Sequence, residues 1–479
     1  MTSVTRNRIV FVSLLITCVI FRLYKINTPL IEYHSWRQAD TAAVARNFTR
    51  HGFDLLKPRY DDLSSSQSGA KNPFGYRMVE FPLYNAWIGL SQWIMPQLSI
   101  VTWGRLISLF CACLLLYCTY YIAVESGGEI AGLIAGLVFA TFPFFVFFTR
   151  VILPEVPAIT AALLAVYIAN RKNATRISMC TSMVLFSIAM LIKPTAIFYG
   201  VAWAYGFISA SHHQKLPKRL VKVGTMAIVA CLPLIMWRIY ILSYPEGIPS
   251  SEWLIGYVNV EGGLKPIFMR PAFFRWILYE RITLLIMGTF GLPLLIAGLF
   301  KNTKTHLPLS LLISSALYVG TFQGGNVQHE YYQILTLPTI ALYAGLGASY
   351  LYSRVLGNVN KSFVLAGCFL LLGLGWTYSW ERVHHYYYSL SDIPKFAKAV
   401  ENFVKPDDLI VTDTAGDTTV LYALDRKGSP TIYGGAQQMK DDGYKYVFTY
   451  NHETARNLQK DIPTSTMLIN DERFILLRL

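Results

Sequence analysis

Long apolar runs separated by short polar stretches dominate the first four-fifths of the chain. They lie near 8–24, 103–123, 129–148, 153–169, 177–192, 195–210, 223–243, 282–300, 307–322, 333–352 and 363–380. A bilayer crossing takes about 20 such residues, so the pattern predicts about eleven transmembrane helices. Gly and Pro inside the runs are tolerated, because neighbouring helices re-satisfy the backbone. Phe81 to Met95 is shorter, carries Trp87 and Trp93 and is broken by Pro82 and Pro96, which suits a helix lying in the membrane interface. The first run ends in Arg22-Leu23-Tyr24-Lys25 with no small-residue cleavage site, and reads as a retained span.

Beyond Trp380 the pattern changes in kind. Ile393 to Val404 has helical spacing, Leu409 to Thr412 reads as a buried strand ending at Asp413, and a helix follows through Leu424. Tyr446 to Tyr450 and Phe474 to Leu477 read as further strands. About 90 residues of this kind can fold alone as a small α/β domain. The expected fold class is therefore a polytopic α-helical membrane protein with a small carboxyl-terminal α/β domain. Its transmembrane domain is 1–380, with interfacial helices in a first outer loop at 25–102, and its extracytoplasmic domain is 381–479.

Composition agrees. The 479 residues are 53% hydrophobic and only 15% charged, against about 25% charged in soluble domains, and the mean hydropathy is +0.39. The net charge of +14 does not argue for nucleic acid, because the basic residues sit in short loops between apolar runs. Met1 to Arg8, Arg171 to Arg176, His212 to Lys222, Lys301 to His306 and Arg354 to Lys361 are such loops. The positive-inside bias puts them in the cytoplasm, with the amino terminus inside and the carboxyl terminus outside the plasma (inner) membrane. All seven cysteines fall within apolar segments and read as packing residues.

The candidate chemistry collects at the outer ends of the runs. In Glu32 to Phe48, helical spacing aligns His34, Arg37, Asp40 or Thr41, and Val44 on one stripe; an amphipathic helix with solvated charges is the plainer alternative. Arg77 and Glu80 precede Pro82, where a carboxylate can also simply face a helix amino terminus. Glu155 stands between Pro154 and Pro157, and a carboxylate at membrane depth is a functional candidate by default, with pairing to Arg150 as the alternative. Lys193-Pro194 suits a phosphate or a snorkelling cation. His329-Glu330-Tyr331-Tyr332 opens a late run, where Tyr is also ordinary interface material. Each cluster is weak alone. The expected topology, however, sets Asp40, Glu80, Glu155, Lys193 and His329 at one depth on one face.

With these motifs the chain resembles the C-type (GT-C) membrane glycosyltransferases, in the bacterial branch related to protein O-mannosyltransferases and the lipid A aminoarabinose transferase. His34 to Ala42 through Asn47-Phe48 resembles the first-loop motif, and Glu80-Phe81-Pro82 the acidic start of the interfacial helix. Arg150 to Glu155 is similar to the second acidic site, Lys193-Pro194 to the lysine turn and His329 to Tyr332 to the late motif. In the family the first-loop acid follows the first span closely; here Glu32 is nearest and Asp40 lies deeper, so both stay in play, with Asp40 favoured. Glu330 stands where many relatives carry a neutral residue.

The resemblance implies transfer of a sugar from a polyprenyl-phosphate-linked donor, at the outer membrane face, to a lipid, glycan or protein acceptor. Asp40 (or Glu32) is the expected general base and Glu155 a second catalytic acid. Arg37, Lys193, His329, Arg77 and Tyr332 are expected to stabilise the leaving phosphate. His34, Glu80, Glu330 and Tyr331 are expected to bind substrate. Glu80 and Glu155 are also the candidates for a divalent cation, Mg or Mn, if one is used. The polyprenyl chain is expected in an apolar groove, with Phe142 to Phe148 either lining it or packing against lipid. The competing class is a flippase of lipid-linked sugars, which predicts paired halves with broken helices and midplane charges. Neither feature is evident in the sequence.

Overall fold

The computed structural model describes residues 3–171, 175–210, 215–250, 260–261, 265–267, 270–354 and 360–479. Parts of the basic loops 171–176, 212–222 and 354–361, and of the outer segment 244–281, lie outside the described residues. The chain forms two compact units. The first comprises Met1–Ile26, Arg105–Trp237 and Leu254–His385, and the second Asn27–Gly104, Arg238–Trp253 and Tyr386–Leu479.

The first unit is helical throughout its apolar runs. By length and composition, four helical stretches among the described residues can cross a bilayer: Ile100–Gly127, Leu216–Ile241, Glu330–Arg354 and the one that begins at Lys361. Glu129–Thr141, Glu155–Ala169, Arg176–Ile192 and Leu307–Thr321 are apolar but shorter. The shortening has local causes. The run 129–148 breaks at Phe142, whose extended backbone precedes Pro143 at the start of the short helix Pro143–Phe148. The run 282–300 breaks where Gly288 and Thr289 take positive φ of 54° and 66°. Along Leu216–Ile241 the apolar side chains of Val221, Ile228, Met236 and Ile239 are largely exposed, as expected of a helix solvated by lipid. The chain is a polytopic membrane protein.

Inside this unit, small residues let backbones touch. Leu292–Leu299 packs on Leu337–Arg354, where a Cβ on Gly298 would sit 2.1 Å from the Tyr343 carbonyl oxygen. One on Gly347 would sit 1.8 Å from the carbonyl oxygen of Leu294. Close approach at glycine is how helices pack when lipid supplies no hydrophobic drive. The aromatic run corrects an expectation. Phe142, Phe144, Phe145, Phe147 and Phe148 are wholly buried, so they are core of this unit and do not face lipid.

Arg22 explains how a buried helix break is tolerated. Ending a helix at Thr141 orphans its last carbonyls. Arg22, itself buried, donates to the carbonyl oxygens of Phe139 (3.0 Å) and Ala140 (3.1 Å) and to Thr149 Oγ1 (2.8 Å). A guanidinium with several fixed acceptors replaces the water that lipid cannot supply.

The second unit is α/β. Strands β1 (Leu409–Thr412), β2 (Gly428–Ser429), β3 (Tyr444–Thr449), β4 (Thr466–Asn470) and β5 (Ile475–Arg478) form one sheet in the order β2-β1-β3-β5-β4. β1 runs parallel to β2 and β3, while β5 is antiparallel to β3 and β4. Alternation along the strands builds two cores. Ile410, Phe448 and Leu476 pack with Phe396 and Val400 of the helix Ile393–Glu401 on one face. Val411, Val447 and Leu477 pack with Met439 and Leu458 on the other.

This unit also contains the first loop, which the apolar pattern alone assigned to the transmembrane domain 1–380. Its helices are Ser35–His51 and Leu83–Ile94. The reason for the different grouping is a set of polar ties. Arg50 grips Asp425 with two hydrogen bonds of 2.8 and 2.7 Å. Arg46 pairs with both Asp61 and Asp425 and stacks over the Tyr422 ring at 4.4 Å. Gly428 N donates to the Asp61 carbonyl (2.9 Å) and Lys71 reaches Asp442 (2.6 Å).

Replacing Arg22 with Leu leaves two buried carbonyl oxygens, those of Phe139 and Ala140, without the donor that Arg22 supplies, at about 1–3 kcal/mol each. We expect a fall in the apparent Tm of purified Arg22→Leu, with Arg22→Lys recovering part of it; an unchanged Tm in Arg22→Leu would contradict the capping role.

Candidate active site

In the second unit the helix Ser35–His51 carries the first-loop motif, and most of it is buried. His34 precedes the helix with φ 55°, and its ring lies against Tyr33 at 4.1 Å between centroids, tilted by 51°. It therefore lies off the stripe on which helical spacing placed it, because the helix starts one residue later. Asp40 is 2% exposed and faces two partners. One oxygen lies 3.0 Å from Arg77 Nη2, and the other accepts a 2.7 Å hydrogen bond from the Thr418 hydroxyl. Arg77 also donates to Gln67 Oε1 (3.1 Å) and stacks over the Tyr60 ring at 5.3 Å. Arg37 pairs with Glu80, both largely buried. Glu32 is fully buried one turn before this helix, in a segment tied to the tail by Tyr33 N to the Tyr386 carbonyl (2.8 Å) and Leu390 N to that of Ile31 (2.8 Å).

Around Asp40 the unit gathers acids that the motif reading missed. Asp62 accepts from the Ser64 amide (2.8 Å) and hydroxyl (2.7 Å) and from Tyr60 Oη (3.3 Å). Burial pushes its pKa up to about 6, against the hydrogen bonds from Ser64 that lower it; the charge of Asp40 adds to the rise. Burial likewise raises Asp417, with Asp40 contributing. The Tyr60 hydroxyl is held well above its usual range by burial and by Asp62, so it stays protonated and donates.

In the first unit Glu155 opens the helix Glu155–Ala169 and pairs with Lys193 Nζ at 2.9 Å. Arg150, the alternative partner, instead donates to the carbonyl oxygens of Tyr24 (3.1 Å) and Lys25 (2.9 Å). Lys193 stands in extended backbone between the helix Arg176–Ile192 and the 3₁₀ turn Pro194–Tyr199, which aims it across at Glu155. His329, also extended, precedes the 3₁₀ helix Glu330–Thr336. Its ring is 5.5 Å from Tyr331 and 6.1 Å from Tyr332. Gly325 makes room for Tyr332, because a Cβ there would come within 2.4 Å of the ring. Tyr318 Oη donates to the Tyr332 carbonyl (3.0 Å) and lies within electrostatic reach of both Tyr332 and Glu155, so the lysine pair and the late motif are neighbours.

Glu330, unexplained in the sequence, has a partner: Arg281 Nη1 at 2.6 Å, with Arg281 also donating to the Val327 carbonyl (2.8 Å). The predicted residues thus fall into two sets. Asp40, Arg77, Arg37 and Glu80 belong to the second unit, while Glu155, Lys193, Glu330 and the His329, Tyr331 and Tyr332 rings belong to the first. Tyr60, Asp62, Asp417, Thr418 and Arg281 were missed. The legible signal for Thr418 was the polar loop Asp413 to Thr419 at the end of a strand.

Glu80 and Glu155, the two metal candidates, are each engaged with a cation and lie in different units. No three His, Cys, Asp or Glu side chains among the described residues are grouped to hold a metal ion.

Residues 82–237 match the family model for dolichyl-phosphate-mannose-protein mannosyltransferase. Among solved structures, the apo form of ArnT from Cupriavidus metallidurans aligns over 100% of this chain and 98% of its own, with a TM-score of 0.65 at 13% identity. The same protein bound to undecaprenyl phosphate gives the same coverage, with a TM-score of 0.62 at 13% identity. The archaeal oligosaccharyltransferase AglB from Archaeoglobus fulgidus, in complex with an inhibitory peptide and a dolichol-phosphate, aligns over 92% of this chain and 69% of its own. Its TM-score is 0.52 at 10% identity. None of the curated protein sequences matches significantly. The likeness shows a fold shared with ArnT and AglB, and the family model matches about a third of the chain.

Folding raises the Asp62 pKa from 3.8 to about 6. Its contribution to stability is therefore complete below pH 3.8 and lost as pH rises through about 6. A shift of this size is worth on the order of 3 kcal/mol. Asp62→Asn escapes that loss, so its apparent Tm should gain on wild type between pH 4 and pH 7. Parallel curves would show that Asp62 ionises in the folded protein as it does in the unfolded.

Proposed function

We propose that the chain transfers a sugar from a polyprenyl-phosphate-linked donor to an acceptor hydroxyl at the outer face of the plasma membrane, with inversion. The observation that carries this reading is Asp40, a buried carboxylate held between the Arg77 guanidinium and the Thr418 hydroxyl on the first-loop helix. The undecaprenyl phosphate of the ArnT complex and the dolichol-phosphate of the AglB complex supply the donor class. The expected orientation, with about eleven spans, a cytoplasmic amino terminus and an extracytoplasmic α/β domain, follows from the basic loops.

In the reaction the acceptor oxygen attacks the anomeric carbon while Asp40 takes its proton as general base. The bond from that carbon to the phosphate oxygen breaks, and its electron pair leaves on the polyprenyl phosphate. Negative charge growing there is met by cations already held in low dielectric, where they act most strongly. Arg37, Arg77, Lys193 and His329 supply positive charge or N–H donors, and Tyr332 a hydroxyl. Glu80 and Glu155 hold Arg37 and Lys193 in place before the phosphate arrives and orient the acceptor. Glu330 serves through Arg281, and His34 and Tyr331 line the substrate.

With a labelled donor and saturating acceptor, Asp40→Asn should lower kcat by about 10²- to 10⁴-fold, the usual worth of a general base, while Glu32→Gln stays within about tenfold of wild type. Loss of turnover only in Glu32→Gln would move the base to Glu32.

A further inference from the structure

The α/β tail reaches the acid that the transferase reading makes the base. The loop Asp413 to Thr418 leaves the carboxyl end of β1 and is fixed by its own bonds. Thr414 Oγ1 lies within hydrogen-bond reach of the carbonyl oxygens of Asp417 (2.7 Å) and Pro430 (2.9 Å) and donates to one of them, and Gly416 takes a φ of 92° that favours glycine. The Asp417 carboxylate accepts from the Thr419 amide (2.7 Å), which starts the short helix Thr419–Leu424. These bonds deliver two neighbouring hydroxyls to the first-loop helix. Thr418 Oγ1 lies 2.7 Å from Asp40 Oδ1 and 3.4 Å from the Trp36 carbonyl, so its hydrogen goes to the carboxylate. Thr419 Oγ1 lies 2.8 Å from Ser35 Oγ, and the carboxyl its side chain reaches is Asp417, not Asp40.

We infer that Thr418 is a positioning residue for the transfer reaction, and that the tail domain acts by holding one oxygen of Asp40 through it. A carboxylate has two oxygens and a free rotation about its last bond. Arg77 faces one oxygen and Thr418 ties the other, which leaves the group in one orientation. Proton transfer demands that orientation, since a base works only within hydrogen-bond reach of the proton it takes. Thr418 touches neither the reacting carbon nor the phosphate in this account. Its loss should therefore slow the chemical step and leave substrate affinity alone.

The inference rests on the transferase reading, and the test separates the two. Wild type, Thr418→Val, Thr418→Ala, Thr418→Ser and Thr419→Val are purified as full chains, checked for a cooperative thermal transition, and assayed for sugar release from a labelled polyprenyl-phosphate monosaccharide. A hydrogen bond to a charged group sets the expected scale: kcat falls about 10- to 100-fold in Thr418→Val and Thr418→Ala while KM stays within about twofold. Thr418→Ser restores most of kcat, and Thr419→Val, which cuts the neighbouring tie without reaching Asp40, stays near wild type. Either valine or alanine suffices if the other does not fold. An active wild type whose Thr418 variants keep full kcat overturns the inference alone. So does a serine variant as poor as alanine, or a Thr419→Val as damaged as Thr418→Val. A wild type that cleaves no donor overturns the transferase reading and this inference with it.

Discussion

A charge removed from water has to meet an opposite charge, and this chain meets that constraint pair by pair. Asp40 faces Arg77, Glu80 meets Arg37, Glu155 meets Lys193 and Glu330 meets Arg281, all with little exposure. An ion pair in low dielectric is weak evidence for stability, because desolvating two charges offsets much of their attraction. A protein that buries four such pairs keeps them for another reason. For a transferase whose leaving group is a phosphate the reason is direct: cations must be in position before charge develops, and carboxylates hold them there at rest. In the transfer we propose, Asp40 then takes the proton that the acceptor gives up.

How the protein tolerates those charges follows from local structure. The first-loop helix and the α/β tail form one unit, and their ties enclose Asp40, Asp62 and Asp417 together. Crowding three carboxyls favours protons on some of them, and burial raises Asp62 and Asp417. In the helical unit, Arg22 answers the same constraint at a backbone break, supplying the donors that lipid lacks.

Much of this was legible in the sequence, and the parts that were not share a cause. Apolar length and Trp placement located the helix Leu83–Ile94, and short apolar runs found β1, β3 and β5 to within two residues. Local motifs singled out Asp40, Glu80, Glu155, Lys193 and His329 as candidates. Their pairings were not legible, since Arg77 lies 37 residues from Asp40, Lys193 38 from Glu155 and Arg281 49 from Glu330. Spacing within a helix carries no information about such pairs. Glu155 shows the limit well: Arg150 is near in sequence, yet a short turn spends it on the carbonyls of Tyr24 and Lys25. The grouping of the first loop with the tail was not legible for a related reason. Hydropathy separates lipid-facing from water-facing chain, whereas the first loop joins the tail through arginine–aspartate ties that hydropathy does not register.

The most direct measurement is the fate of a defined donor. Purified protein in vesicles is given a polyprenyl-phosphate monosaccharide labelled in both sugar and lipid, with a leaflet-impermeant probe of lipid position. The account predicts that the sugar–phosphate bond is cleaved, that free polyprenyl phosphate accumulates one for one with transferred sugar, and that intact donor does not change leaflets. Intact donor redistributing between leaflets, with no polyprenyl phosphate formed, would contradict it and make the chain a carrier of the lipid it was held to cleave.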